Sequence, residues 1–366
     1  MSTLQSDKYG TITPMLAALE ALVKCESPTE DLDACRDVVR LASDIATRVL
    51  GIPAQIHEVK GRPVFWWGAE EPEIVLLAHL DTVWPHGSFS PLWSVDGDVI
   101  RGPGTFDMKA GFVQALFALK GITGSVALVG TTDEETGSET SKDLIMEFSR
   151  NAKAVLVLES AIDGKVKTGR KGTAMYRINV HGRAAHAGLE PEKGINATVE
   201  ISHVVLQLAA LENSELGTTA VPTLMHSGNT TNTVPDLATL DVDARSFSQA
   251  ELVRVDQAIR AIKPKHPEAT IEISGGLNRP PLELTSTMEL YERAAKVAAT
   301  LGITLGHASV GGASDGNFAA SAGAKVLDGL GGVGAGAHAH NEWVSVKALQ
   351  ERSDFLHAFI KDLLND

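Results

Sequence analysis

The chain has 366 residues, of which 43% are hydrophobic and 21% charged, and it carries a net charge of −14. That length passes the point at which one hydrophobic core keeps growing, so two domains are expected, and the balance excludes wholesale disorder. The acidic balance and the lack of a Lys/Arg cluster argue against nucleic acid and anionic membranes as partners. Cys25 and Cys35 are too few for a disulfide scaffold and read as buried thiols. Residues 1–10 are polar and lack the apolar core of a signal peptide. No run approaches the roughly 18–20 apolar residues that span a bilayer. A cytoplasmic protein is expected, although a chain whose signal peptide had been removed would read the same.

Residues 13–50 show apolar positions at helical spacing. Three short apolar runs follow, at 74–78, 126–129 and 154–158, without alternation, as in strands buried on both faces of a mostly parallel sheet. Helical stretches at 109–120 and 141–151 separate them, so the first part is α/β, a central sheet flanked by helices. Near Gly169 the texture changes. Residues 175–180 alternate, a helix follows at 196–211, strand-like runs lie at 219–226 and 237–243, a helix at 249–262, and a last strand at 269–273. This β-α-β-β-α-β order predicts an inserted α+β domain of ferredoxin-like type. The α/β texture returns with a helix at 287–301 and a buried strand at 324–327. The expected domains are 1–169 with 284–366, and 170–283.

The acids and histidines fall at strand ends. His79 and Asp81 follow the first buried strand, Asp133, Glu134 and Glu135 the second, and Glu159 ends the third. Ligand sites of open α/β sheets lie at the carboxyl ends of strands. Asp107, in a Gly-rich turn, joins them. Such a cluster would repel itself if empty, and His plus carboxylate is a donor set suited to zinc. The C-terminal segment Gly336-Ala-His338-Ala-His340-Asn-Glu342 offers two further histidines.

These segments together resemble a known family. His79-Leu-Asp81-Thr-Val, Gly104-Thr-Phe-Asp107-Met-Lys-Ala-Gly111, Thr132-Asp-Glu134-Glu135-Thr-Gly137 and Glu159 are similar to the four motifs of the cocatalytic dizinc peptidases. That family includes carboxypeptidase G, aminoacylase, acetylornithine deacetylase and succinyl-diaminopimelate desuccinylase. The likeness runs along essentially the whole chain. It implies two Zn2+ per subunit, with Co2+ or Mn2+ as substitutes. His79, Asp107 and Glu159 would hold one ion; Asp107 would bridge to the second, completed by Glu135 and a C-terminal histidine. The family spacing of His and Glu picks His338, with Glu342 as the matching acid, over His340. Asp81 would orient His79, and Glu134 would be the general base that activates a water for attack on an amide carbonyl.

The resemblance extends into the insert, which it marks as a lid and dimerisation domain. Gly182-Arg-Ala-Ala-His186-Ala-Gly188 is similar to the lid motif, whose histidine reaches the partner's active site in a homodimer and stabilises the oxyanion. Asn232 and Arg245 match substrate-contacting positions, and an arginine fork suits a carboxylate. Gly311 and Gly312 open a Gly-rich loop whose N–H groups could form an anion nest. The alternative reading of Arg245 is a surface ion-pair residue. His86 and His226 lack convergent acids in sequence, and Trp66, Trp67 and Trp84 read as packing.

Glu159 resembles the acylases and carboxypeptidases, where aminopeptidases and dipeptidases carry Asp, and the run 327–338 further resembles the glutamate carboxypeptidase branch. The expected activity is therefore release of a C-terminal amino acid, with glutamate favoured, from a small peptide or N-acyl-amino acid. An N-acyl-amino-acid deacylase is the alternative. A non-catalytic metal-binding protein is the alternative of another class, and Glu134, a non-ligand with little structural purpose, argues against it. No Gly-x-Gly-x-x-Gly links a strand to a helix, which counts against a nicotinamide enzyme.

Overall fold

The computed structural model describes residues 12–365; residues 1–10 of the expectation above lie outside them. Backbone contacts divide the chain into two compact units. The first runs to Gly169 and resumes at Leu284–Ser309 and from Ser314 onward; the second is Arg170–Glu283 with Val310–Ala313. The four residues Val310–Ala313, expected with the first unit, thus group with the second.

In chain order the larger elements are α1 (Ile12–Lys24), α2 (Leu32–Leu50), β1 (Gln55–Val59), β2 (Arg62–Gly68), β3 (Ile74–His79) and α3 (Ala110–Ala118). They continue with β4 (Val126–Thr131), α4 (Lys142–Ser149), β5 (Ala154–Val157), β6 (Gly172–His181), α5 (Ala197–Ala209), β7 (Thr219–Ser227) and β8 (Leu237–Ser246). Then come α6 (Gln249–Arg260), β9 (Thr270–Arg279), α7 (Met288–Thr300), α8 (Asp315–Ser321), β10 (Val326–Leu327) and α9 (Val346–Leu364).

The first unit is built on a six-stranded sheet, in the order β1-β2-β4-β3-β5-β10. β4, β3, β5 and β10 are parallel, and β3, β4 and β5 are buried at every position, which is why their sequences are apolar without alternation. β1 and β2 add an antiparallel edge that the sequence pattern does not predict. β1 is exposed at nearly every residue, so no apolar period marks it, and only the turn at Lys60 and Gly61, φ 50° and 84°, signals the hairpin. One core joins the sheet to α1, α2, α3, α7 and α9, through residues such as Leu19, Val38, Phe112, Leu290 and Phe359.

Residues 13–50 do not form one helix. α2 starts afresh at Asp31, whose carboxylate accepts the N–H groups of Asp33 and Ala34 at 3.0 Å each. In the break, Pro28 bridges to Thr82 and the Thr82 N–H donates to the Ser27 carbonyl at 2.8 Å, which brings Thr29 beside Asp81.

The parallel register aligns the strand ends. His79 lies opposite Thr131, and Leu77 opposite Val157, so the loops that follow three strands leave from one edge. The second unit is a four-stranded antiparallel sheet, β7-β8-β6-β9, with α5 and α6 packed through Ile201, Val204, Val255 and Ile259 against Ile178 and Leu240. β8 alternates buried residues with exposed or half-buried ones along its length, as a sheet with one covered face requires. Among the described residues no helix is long and apolar enough to cross a membrane.

Phe112 is fully buried on α3, with its ring edge-on to Phe65 at 5.0 Å between centroids. Phe112→Ala is expected to destabilise the first unit by about 3–5 kcal/mol in denaturant unfolding; a loss below about 1 kcal/mol would contradict this packing.

Candidate metal centre

Asp107 stands at the middle of the strand-end cluster. Its Oδ1 lies 3.2 Å from His79 Nε2, and its Oδ2 3.3 Å from His338 Nε2. Glu159 Oε1 is 3.8 Å from His79 Nε2, and Glu135 Oε2 is 3.0 Å from His338 Nε2. Two groups of donor atoms result, His79–Asp107–Glu159 and Asp107–Glu135–His338, each with ligand atoms within 4.8 Å of one another. Tetrahedral bonds of zinc to nitrogen and oxygen place neighbouring ligand atoms about 3.3 Å apart, so the spacing suits an ion in each group.

The electrostatics point the same way. Burial opposes the charged form of His79, yet bonds to Asp107 and Asp81 hold its proton well above the ordinary histidine range. Hydrogen bonds to Asp107 and Glu135 push His338 up to about 10. Asp107 is buried, which favours its acid form, but the bonds from His338 and His79 keep it well below the usual carboxylate range. Glu135 is raised by burial despite its bond from His338. The carboxylate set thus favours positive charge on both imidazoles, a demand that divalent cations would meet more fully.

Each donor has a visible support. His79 Nδ1 donates to the Asp81 backbone carbonyl at 3.0 Å, while the Asp81 carboxylate stands farther off at 3.4 Å. That carboxylate accepts from the Thr29 hydroxyl at 2.8 Å and from the Glu135 N–H at 3.3 Å. Glu134 and Glu135 share one short turn, Glu134–Thr136, after β4. Asp315 underpins that turn, accepting hydroxyl bonds from Thr131 before it and Ser138 after it. Gly104 opens the Asp107 turn at φ 69°, where a Cβ would lie 2.5 Å from the Thr82 side chain, so only glycine fits. The buried Lys109 ammonium donates to the carbonyls of Leu22 and Cys25, fastening the turn to the end of α1.

Glu342 is fully buried and accepts N–H groups from Gly104, Phe106 and Asp107. Burial pushes it up to about 7 against the pull of these bonds. The Trp84 indole N–H also donates to it, so Trp84 does more than pack. His340 is exposed, lies over Trp84 and Phe89, and joins neither donor group among the described residues. His86, expected to lack convergent acids, meets Asp31 at 3.2 Å and Glu26 at 3.8 Å on the exposed surface. Folding brings the acids to it from the break before α2, which sequence proximity does not display.

The remaining expected residues belong to the second unit. His186 lies opposite Thr233, and the Ala187 N–H donates to the Asn232 carbonyl, so His186 and Asn232 are neighbours. His186 Nδ1 accepts N–H bonds from Gly188 and Leu189 at 3.1 Å each. A neutral ring so engaged carries its proton on Nε2 and presents it as a donor. Arg245 forks onto both oxygens of Asp243, at 2.8 and 2.9 Å, and gives Nη1 to the Gly311 carbonyl at 3.3 Å. Arg170 likewise gives Nη1 to the carbonyls of Gly312 and Ala313.

Sequence reasoning missed Thr29, Lys167, Arg170 and Arg279. Lys167 is buried with its Nζ 3.5 Å from Glu159 Oε2. Arg279 and Arg245 lie opposite Thr173 from its two neighbouring strands, which places both arginines in one row across the sheet. No local motif marks Arg279; the strand register alone does.

Comparison with known proteins accords with this geometry. The family model described as "Peptidase family M20/M25/M40" matches residues 75–362. The chain is 33% identical over 305 residues to carboxypeptidase G2 of Pseudomonas sp. (strain RS-16), covering 79% of this chain and 74% of that protein. It is 25% identical over 378 residues to the succinyl-diaminopimelate desuccinylase of Thioalkalivibrio sulfidiphilus (strain HL-EbGR7), covering 94% and 97%. Its fold superposes on the crystal structure of aminopeptidase PepT from Bacillus cereus ATCC 10987 with a TM-score of 0.80, at 23% identity, over 96% of this chain and 98% of that one. The chain belongs to peptidase family M20/M25/M40 and is a metal-dependent hydrolase of peptide or amide bonds.

Proposed function

We propose that this hydrolase holds two zinc ions and releases a C-terminal amino acid, glutamate by preference, from a small peptide or N-acyl group. The observation that carries it is Asp107, whose two oxygens face His79 on one side and His338 on the other. His79, Asp107 and Glu159 would hold one ion; Asp107, Glu135 and His338 the other, with Co2+ or Mn2+ able to substitute. When bound, the ions would acidify water and polarise the amide carbonyl. Glu134 takes the proton from the attacking water and returns it to the leaving amide nitrogen. Its place beside Glu135 in one turn supports that role, because successive side chains leave such a turn in different directions. Asp81 fixes His79 chiefly through its carbonyl.

In this reading the first unit is catalytic and the second is a lid and dimerisation domain. His186 serves the active site of the partner in a homodimer, and its Nε2–H donates to the developing oxyanion. Asn232, Arg245, Gly311 and Gly312 read the substrate's carboxylate. The row formed by Arg245 and Arg279 supports an anionic substrate, although Arg245 must loosen its fork on Asp243 to bind one. The similarity to carboxypeptidase G2 favours cleavage beside glutamate. The similarity to a succinyl-diaminopimelate desuccinylase over nearly the whole chain favours the second reading, an N-acyl-amino-acid deacylase. A hydrolysis screen of N-acyl-amino acids and glutamate conjugates, with elemental analysis of the same sample, separates the two.

Glu134→Gln is expected to lower kcat by about a hundred- to ten-thousandfold while bound metal stays at wild-type stoichiometry. Loss of metal together with activity would assign Glu134 a ligand role instead. Arg245→Ala is expected to raise KM for carboxylate substrates by about tenfold or more, with kcat less affected; an unchanged KM would leave Arg245 as a partner of Asp243 only. Metal uptake by the stripped protein should release protons, because His338 holds one up to about 10. Apparent affinity should therefore rise with pH through the neutral range and level off near that value. Calorimetry in buffers of different ionisation enthalpy measures the release, and a titration with no proton release would contradict it.

A further inference from the structure

We propose that Glu342 is a positioning residue that sets the register between Asp107 and His338, and so tunes the ion held by Asp107, Glu135 and His338. The inference rests on the two-metal reading above. The carboxylate sits where three segments meet. Oε1 accepts the N–H groups of Phe106 at 2.8 Å and Asp107 at 3.0 Å. Oε2 accepts the Gly104 N–H at 3.0 Å and the Trp84 indole N–H at 3.2 Å. The Asp107 turn, the loop after His79 and the segment that carries His338 are thus fastened to one group. Glu342 joins neither donor cluster itself.

The link to His338 is short and stiff. The Ala339 N–H donates to the Gly336 carbonyl, and the Glu342 N–H to the Ala339 carbonyl, each at 2.9 Å. Gly336 adopts φ 86°, and a Cβ there would stand 3.0 Å from the Glu342 backbone. Movement of Glu342 therefore carries His338 with it. A carboxylate alone offers two acceptor oxygens to two donors each; an amide would turn an NH2 group against N–H donors. Metal affinity is sensitive to ligand displacements of a few tenths of an ångström, so the defect should appear as altered binding of one ion.

The test is a Co2+ titration of the full-length, metal-stripped chain, read by visible absorption and calorimetry, in wild type, Glu342→Gln, Trp84→Phe and His338→Ala. His338→Ala identifies the step that belongs to its cluster. Glu342→Gln should weaken that step by about ten- to a hundredfold and alter its spectrum, while the other step moves by less than about threefold. Trp84→Phe removes one donor of four and should weaken the same step by about two- to tenfold. Unchanged binding in both variants overturns the proposal, as does equal weakening of both steps alongside a lower Tm, which would mark Glu342 as structural only. If Glu342→Gln does not fold, Trp84→Phe decides: wild-type binding of that step overturns the proposal. A wild type that takes up fewer than two ions overturns the two-metal reading and this inference with it.

Discussion

The carboxylate of Asp107 is the constraint around which the first unit is organised. It faces an imidazole on each side, at 3.2 and 3.3 Å, inside a cluster that also holds Glu135 and Glu159, with Asp81 behind His79. Several like charges brought together out of water cost more than their hydrogen bonds return, unless cations accompany them. The fold accepts that cost in one place and restrains the place heavily. Gly104 permits the tight turn, Lys109 fastens it to α1, and Glu342 occupies its N–H groups.

The sheet supplies the platform. β3, β4 and β5 are buried on both faces and locked in parallel register, so their ends cannot slide relative to one another without exposing apolar side chains. His79, the Glu134–Glu135 turn and Glu159 inherit that rigidity. Asp315 extends it by accepting from Thr131 before and Ser138 after the Glu134–Glu135 turn. The second unit uses a different device. Its antiparallel sheet aligns Arg245 and Arg279 across Thr173, and the carbonyls of Gly311 to Ala313 accept from Arg245 and Arg170. Arg245 there is held by the Asp243 carboxylate and by the Gly311 carbonyl.

Much of this was legible in the chain itself. Apolar runs without alternation gave the parallel strands, and the acids directly after them gave the edge where the donors gather. The hairpin β1–β2 was not legible, since an exposed edge strand carries no apolar period. The apolar spacing on the two sides of the break before α2 is out of phase, but the docking of that break on Thr82, beside Asp81, exists only after folding. His86 drew its acids from that break, and the pairing exists only after folding.

The sequence by itself determined the order of the elements, the family motifs and the residue types that suit a pair of metal ions. Those features are local, fixed by spacing within a few residues or by a strand and the loop that follows it. The tertiary structure decided that His338 rather than His340 faces Asp107, that Trp84 and Glu342 brace the turn, and that Arg279 joins Arg245. The physical reason is distance along the chain: Phe106 and Glu342 are 236 positions apart, and their hydrogen bond exists only because the core brings the segments together.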